Sequence, residues 1–339
     1  MAEYAEAAGN YSFKDRKVRL VVLGILQIIL GGICALMVPF MILGMAASAA
    51  YGKGAAGGVS LRMMIPGVLF YLALAVWFIW MGIGSVMIRR WARAIILVSS
   101  WLWLICGMLG FVLVLTVLPS MYAKMGESGG MPKGAAAVMK YVMTAFLAVI
   151  YVVMPGIFVL FYSGKDVKAT CEYRDPKERW TDRCPLPVLV VSFMSAVWAV
   201  SILPMGIYRW AIPFFGSIVS GTAGAIIILV LTLVLAYIAW GAYKLDIKAW
   251  WCALLVHIGW SLSSIITFST VKMEQFYEKM AFSGQQRDII KQFSTLWEPR
   301  MSLFLGFWAV VVLAYLIYVR RYFTDASLNK SEPRAGNAV

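Results

Sequence analysis

Apolar residues in this chain come in long, unbroken runs that are separated by short polar segments. Eight runs have close to the roughly 20 residues that a helix needs to cross the hydrocarbon core of a bilayer. A membrane β-barrel would instead show segments of about ten residues in which apolar and polar positions alternate. The pattern predicts an all-α membrane protein with eight transmembrane helices, at Leu20–Met45, Met63–Ile88, Ala94–Leu118, Tyr141–Tyr162, Leu186–Met205, Ser217–Gly241, Ala249–Thr270 and Ser302–Val319.

One long polar segment, KDVKATCEYRDPKERWTDRCPLP at 165–187, interrupts the apolar pattern near the middle of the chain. It contains six basic and five acidic residues. A segment of this composition must lie in water or among lipid headgroups, because burying charges in hydrocarbon is very unfavourable. We therefore expect three parts: a first four-helix region at 1–164, a charged linker at 165–185, and a second four-helix region at 186–339.

The two regions share residues in the same order, which predicts an internal repeat. An offset of 159 places Gly82, Trp91 and Trp101 on Gly241, Trp250 and Trp260. The pattern Y-x-K-M-x-x-S-G occurs at 122–129 and again at 277–284, and an offset of 165 aligns Pro39 with Pro204. Four helices is an even number, so both copies enter the membrane from the same side. The sequence thus predicts two parallel four-helix repeats related by a pseudo-twofold axis along the membrane normal.

Between predicted helices 7 and 8, the segment Val271–Trp297 has two short stretches with apolar residues at helical spacing. Met273, Phe276, Tyr277 and Met280 form one apolar face, and Ile289, Ile290, Phe293 and Leu296 form the other. We interpret this segment as a helical hairpin that lies on the outer membrane surface or caps the helix bundle.

Composition and charge agree with this class of protein and indicate its orientation. The chain is 62 % hydrophobic and 14 % charged, which excludes an ordinary soluble domain. We interpret the net charge of +14 as a membrane-orientation signal and expect no nucleic-acid partner. On the side of the linker lie 19 of the 30 Lys and Arg residues. The bias predicts that both termini and the linker are cytoplasmic, in a bacterial inner membrane.

Few polar residues lie inside the predicted helices, and none of them is Asp or Glu. This absence disfavours a proton- or sodium-coupled carrier, since such carriers place ionisable groups at mid-membrane depth. His257, Ser261, Ser264 and Thr267 follow one stripe of helix 7, and Gln27 lies in helix 1 among glycines. These residues are candidates to line a polar path. The simpler interpretation is that they form helix–helix hydrogen bonds or close packing contacts.

We expect no enzymatic activity and no cofactor. Ser220 and His257 would differ in depth by about 20 Å at the rise of a regular helix, too far for a catalytic pair. The five cysteines lack zinc-type spacing. The residues that a Cu(I) site would use are Met37, Met41, Met45, Met121 and Met125. Methionine is also a common filler of irregular apolar packing, which is the preferred interpretation.

Two functions follow as hypotheses. The first is a transporter or channel-like permease with a path between the two repeats, and the predicted duplication favours it. The second is an accessory or scaffold subunit that packs against other membrane proteins, against copies of itself or against lipid. The absence of acidic residues and the plain Gly, Ala and Ser contacts favour the second. Apart from the bilayer, the sequence identifies no specific partner.

Overall fold

The computed structural model describes residues 13–50, 61–127, 133–280 and 284–331. Within these residues, eight helices are long and apolar enough to cross a membrane. This confirms the predicted class, an all-α membrane protein with eight candidate spans. We number them span 1 to span 8: Lys17–Gly44, Ile65–Val86, Arg90–Thr116, Ala137–Tyr162, Leu186–Tyr208, Gly221–Tyr243, Ile247–Thr270 and Met301–Thr324.

The helical elements extend beyond several of the spans. The helices are α1 (Lys17–Ala50), α2 (Leu61–Val86), α3 (Arg90–Glu127), α4 (Lys133–Ala148), α5 (Met154–Tyr162), α6 (Lys165–Arg174), α7 (Leu186–Ser201), α8 (Gly221–Tyr243), α9 (Ile247–Thr270), α10 (Met273–Lys279) and α11 (Gly284–Ser331). A π-helical segment at Val149–Val153 joins α4 to α5, and 3-10 turns lie at Trp180–Arg183 and Leu203–Tyr208.

A short β-hairpin lies where the sequence pattern predicted the start of span 6. Strands β1 (Ile212–Phe214) and β2 (Ser217–Val219) pair antiparallel, with Ile212 opposite Val219. The turn places Phe215 and Gly216 at positive φ, and Gly221 follows with a φ of 70°. Because Ser217–Val219 form strand β2, the prediction that the helix begins at Ser217 was wrong, and α8 begins at Gly221.

The predicted hairpin between helices 7 and 8 is only half present. Its first arm is the short helix α10. Its second arm is not a separate surface helix, because α11 runs without a break from Gly284 into span 8. Pro299 lies inside α11, and the helix continues through it.

The chain forms two compact units. The first, unit 1, comprises Met1–Ala35 and Ala73–Arg183. The second, unit 2, comprises Leu36–Leu72 and Cys184–Val339. Unit 1 thus contains spans 3 and 4, residues 165–183 of the linker, and the adjoining parts of α1 and α2. We define the linker end of each span by chain order. It is the first residue of an odd-numbered span and the last residue of an even-numbered span.

In unit 1, α1 and α2 approach closely because glycines face each other. A Cβ added at Gly24 would lie 2.8 Å from the carbonyl oxygen of Gly82, and one added at Gly31 would lie 3.0 Å from that of Ala75. At the linker end of this contact, the Ser85 hydroxyl donates a hydrogen bond to the carbonyl oxygen of Leu20 at 3.0 Å. Small residues allow such close packing in membranes, where apolar burial alone does not drive helices together.

Span 4 contains the π-helical segment for a reason visible in its sequence. Pro155 has no N–H to donate to the carbonyl oxygen of Tyr151, and its ring crowds that oxygen in a regular helix. The chain widens instead, and the N–H of Met154 bonds the carbonyl oxygen of Val149 in the π register. Gly107 of α3 packs directly against the Tyr151 carbonyl, at a distance that leaves no room for a Cβ.

The turn between α2 and α3 and the turn between α8 and α9 have the same geometry. Ile88 and Leu245 occupy the left-handed region with φ of 54° and 56°. The backbone hydrogen bonds also correspond. In the first turn the Arg89 N–H donates to the Gly84 carbonyl oxygen, and in the second the Asp246 N–H donates to the Gly241 carbonyl oxygen. A Cβ at Gly84 would meet that of Ala92, as one at Gly241 would meet that of Ala249. The offset is therefore 157 residues, and the offset of 159 expected from the tryptophans is wrong by two at this turn.

Candidate functional site

Gln27, one of the residues predicted to line a path, is a buried polar side chain of unit 1. It is 3 % exposed, and its Oε1 has no hydrogen-bond partner. Gly24 and Gly31, three residues before it and four after it, contact α2, so Gln27 shares their helix face. An unpaired buried amide oxygen is unfavourable, and such groups are normally bonded to protein or to ordered water.

Other polar groups of unit 1 lie at a similar depth. Gln27 and the buried Ser100 are each ten residues from the linker end of their spans, which corresponds to about 15 Å along a helix. Tyr151, in the π-helical segment, is about 16 Å from the linker end of span 4. Wide π turns often occur at functional sites because they disturb the regular pairing of carbonyl groups. We refer to Gln27, Ser100 and the Val149–Val153 backbone as the polar layer of unit 1.

His257, the only histidine in the sequence, contacts a neighbouring helix in unit 2. Its Nε2 lies 2.9 Å from the carbonyl oxygen of Ala309 in α11. A carbonyl can only accept, so Nε2 carries the proton and donates. This contact matches the simpler interpretation of His257, a polar helix–helix contact, and its role in a path stays a prediction.

The polar stripe of α9 also holds the β-hairpin in place. The hydroxyl of Ser263 donates to the Pro213 carbonyl oxygen at 3.2 Å and accepts from Phe215 N–H at 3.0 Å. Thr267 accepts from Gly216 N–H at 3.0 Å. Sequence reasoning selected Thr267 but missed Ser263. The signal that could have identified Ser263 is the turn at Phe215 and Gly216, because the backbone groups of a turn need hydrogen-bond partners outside a helix.

The remaining predicted positions whose side chains the structure describes lie on α9 and α1. Ser264 is buried and Ser261 is half-buried on α9. Met37 is exposed in α1, and the Cε of Met41 lies close to Gly67. The side chains of Met45, Met121 and Met125 lie outside the described part of the structure, so the copper hypothesis is untested. Among the described residues, no group of three or more His, Cys, Asp or Glu side chains could hold a metal ion.

The linker forms a dense network of ion pairs at the linker end of unit 1. At its centre is Asp175, whose carboxylate pairs with Arg179 at 2.6 Å and Arg89 at 3.6 Å and accepts from the Arg90 N–H at 3.2 Å. It therefore caps the start of α3 from a distant part of the chain. Other pairs surround it: Arg16 with Asp166, Arg174 with Asp15, Arg90 with Glu172 and Asp182, and Lys168 with Glu172.

Electrostatics show how firmly Asp175 is held in its charged form. Burial alone would raise the pKa of Asp175, but the hydrogen bonds from Arg179 and Arg90 and the charges of Arg179 and Arg89 outweigh it. The pKa of Asp175 is consequently below its ordinary value. Burial raises the pKa of the Cys171 thiol to about 11 and that of Cys184 to about 12. Both thiols therefore stay protonated and unreactive at neutral pH.

Three buried polar atoms beside this network have no hydrogen-bond partner: Nε of Arg90, Nε of Arg93 and Oγ1 of Thr181. The two arginines lie in the first turns of α3, and Thr181 lies in the 3-10 turn of the linker, which packs on α3. Sequence reasoning treated the linker as a solvated segment and did not identify this cluster. Pairing between a linker and the start of a distant helix leaves no local pattern in the sequence.

No family model, curated protein or solved structure matches the chain.

Proposed function

We propose that this protein is a non-enzymatic, multi-pass membrane permease whose polar layer in unit 1 carries a small, uncharged polar solute. The observation that carries the proposal is the buried, unpaired Oε1 of Gln27 at membrane depth. The free oxygen needs a donor, which a passing solute or water can supply. The eight spans contain no Asp or Glu, which argues for an uncoupled path and against a pump.

The architecture that we propose is a duplication. The two matching turns support a repeat, and the even number of spans expected in each copy is the reason to propose that both copies enter the membrane from the same side. Several transporter folds consist of two repeats that are related by an axis along the membrane normal. With the excess of Lys and Arg on the linker side, we further propose that both termini and the linker are cytoplasmic, in a bacterial inner membrane.

The test is a permeability measurement. Purified protein is reconstituted in liposomes, and water, glycerol and urea permeabilities are measured by stopped-flow light scattering. We expect glycerol or urea permeability well above that of protein-free liposomes, and loss of most of the excess in Gln27→Leu. Thr232→Val, a polar-to-apolar change in span 6 whose hydroxyl bonds only its own helix at Ile228, is the matched control. Permeabilities equal to those of empty liposomes for all three solutes would contradict the proposal.

A second candidate is an accessory subunit of a membrane complex. The observation that favours it is that His257, Ser263 and Thr267 are all used in contacts within unit 2. Native mass spectrometry of gently extracted protein distinguishes the two. A stoichiometric companion chain together with absent solute flux supports the subunit, whereas a lone protein with flux supports the permease.

A further inference from the structure

The three unpaired atoms beside the linker network share one chemical need. The Nε–H groups of Arg90 and Arg93 can only donate, and the Thr181 hydroxyl can donate as well. Thr181 is 2 % exposed, so leaving its hydroxyl without a partner is unfavourable. The nearest carboxylate oxygen to the Arg90 Nε belongs to Asp182, at 3.5 Å, without the direction of a hydrogen bond. What is missing at this interface is an acceptor.

Charge distinguishes between the possible acceptors. Within the described residues, Arg93 is in no ion pair, whereas Arg89, Arg90 and Arg179 all contact carboxylates. Glu172, Asp175 and Asp182 are already engaged by those other cations. An anionic acceptor would therefore complete the charges as well as the hydrogen bonds, which a water molecule would not do.

The position of the cluster indicates the type of anion. It lies at the linker end of span 3, beside a polar segment that must lie in water or among headgroups. Guanidinium groups match the oxygens of phosphate, and basic pockets between helices on the cytoplasmic side bind anionic headgroups. We infer that Arg90, Arg93 and Thr181 form a binding site for a phosphate group, carried by an anionic phospholipid or by a soluble phosphate.

The experiment measures the melting temperature of the full-length protein in a neutral detergent. Cardiolipin, phosphatidylglycerol or inorganic phosphate is added, and phosphatidylcholine is the neutral lipid control. We expect an anionic phospholipid or phosphate to raise the melting temperature and phosphatidylcholine to leave it unchanged. A rise with phospholipid alone identifies a headgroup site, and a rise with inorganic phosphate identifies a soluble ligand.

Two variants test the assignment to these residues. Thr181→Val keeps the shape of the side chain and removes the hydroxyl, and Arg93→Met removes the charge. Each should weaken the apparent affinity by about tenfold, since a hydrogen bond to a charged acceptor is lost. Arg174→Gln is the matched control, because Arg174 pairs with Asp15 elsewhere in the linker network.

The inference fails if neither the anionic lipids nor phosphate raises the melting temperature. It also fails if Thr181→Val keeps the full shift while being more stable than the wild type. That second result is expected of a hydroxyl that is simply buried without a partner, because its removal relieves a desolvation penalty. Thr181→Val preserves shape, so the test remains valid even if Arg93→Met does not fold.

Discussion

The turns at the linker ends of the two units have one backbone geometry and two chemistries. In unit 2, Asp246 caps its own helix, and its carboxylate accepts from the Lys248 N–H at 2.9 Å. In unit 1 the equivalent residue is Arg89, and Asp175 of the linker supplies the carboxylate from outside the helix. The comparison teaches that one turn geometry can be capped from two sources: α9 is capped by a carboxylate of its own chain segment, and α3 by a carboxylate of the linker.

The positions one turn into these helices differ in the same way. Trp250 of α9 donates from Nε1 to the Leu316 carbonyl oxygen at 2.8 Å and lies under the guanidinium of Arg320. The residue equivalent to Trp250 at the offset of 157 is Arg93, with its unpaired Nε. Unit 2 thus fills this position with an aromatic group whose polar atom is paired, and unit 1 leaves a cation without a protein partner. The phosphate inferred above would be the missing partner of Arg93.

The largest expected effect is from Asp175→Asn, which tests whether unit 1 relies on the linker carboxylate. The substitution keeps the size and leaves Arg89 and Arg179 without their anion, so we expect a loss of roughly 3 kcal/mol in the free energy of unfolding. Unfolding in detergent, followed by tryptophan fluorescence, measures it. Asp15→Asn is the control, because the half-exposed pair of Asp15 with Arg174 should contribute little.

Acid provides an independent check of the same residue. The pKa of Asp175 is lowered in the folded state, so its contribution is complete above the unfolded-state value of about 4 and is lost as pH falls below it. The stability difference between wild type and Asp175→Asn should therefore be constant near neutral pH and shrink below about pH 4. A difference that does not change with acid would show that the charge of Asp175 is not what stabilises the fold.

Next in size are paired glycine substitutions that test the equivalence of the turns. Gly84→Ala and Gly241→Ala each place a Cβ against that of an alanine, Ala92 or Ala249, so we expect similar losses of about 2 kcal/mol. Gly110→Ala and Gly259→Ala are matched controls, since a Cβ at either position meets nothing within 4 Å. Clearly unequal losses for Gly84→Ala and Gly241→Ala would break the comparison and the offset of 157 with it.

A smaller effect is expected at the self-contained cap. Asp246→Ala removes the acceptor for the Lys248 N–H and should lower the free energy of unfolding by about 1 kcal/mol. The equivalent change in unit 1, Arg89→Ala, removes no cap and only an ion pair of a partly exposed side chain. It should therefore have less effect than Asp246→Ala. The reverse order would mean that the two helix starts are not capped as described.

The sequence predicted those features that depend on local composition. Hydropathy alone identified eight spans, and the glycines around Gln27 correctly indicated close packing. The β-hairpin was missed because its strands have only three residues each, embedded in an apolar run that resembles a helix. The role of Asp175 was missed because Asp175 and α3 are far apart in the chain. The offset of 159 arose because Trp91 and Trp250 were taken as equivalent, although Trp91 is the second residue of α3 and Trp250 is the fourth of α9.

The smallest expected effects concern two tyrosines that connect the last span of each unit with its other helices. Tyr162 lies 2.6 Å from the Ser85 hydroxyl, which donates to the Leu20 carbonyl oxygen, so Tyr162 must be the donor to Ser85. In unit 2 the residue equivalent to Ser85 is Ala242, and Tyr315 donates directly to the Pro187 carbonyl oxygen at 2.7 Å. We expect Tyr162→Phe and Tyr315→Phe each to lower the free energy of unfolding by about 0.6 kcal/mol, typical of hydrogen bonds between membrane helices.

Double-mutant cycles can separate the relayed contact of Tyr162 from the direct contact of Tyr315. Tyr162→Phe and Ser85→Ala remove parts of one hydrogen-bonded chain, so their effects should not add. Tyr315→Phe and Ser85→Ala share no hydrogen-bond partner, and their effects should add within the error of the measurement. If instead Tyr162 and Ser85 prove independent, the serine is not a relay. The two tyrosines would then be unrelated contacts, and the likeness of the units would rest on their turns alone.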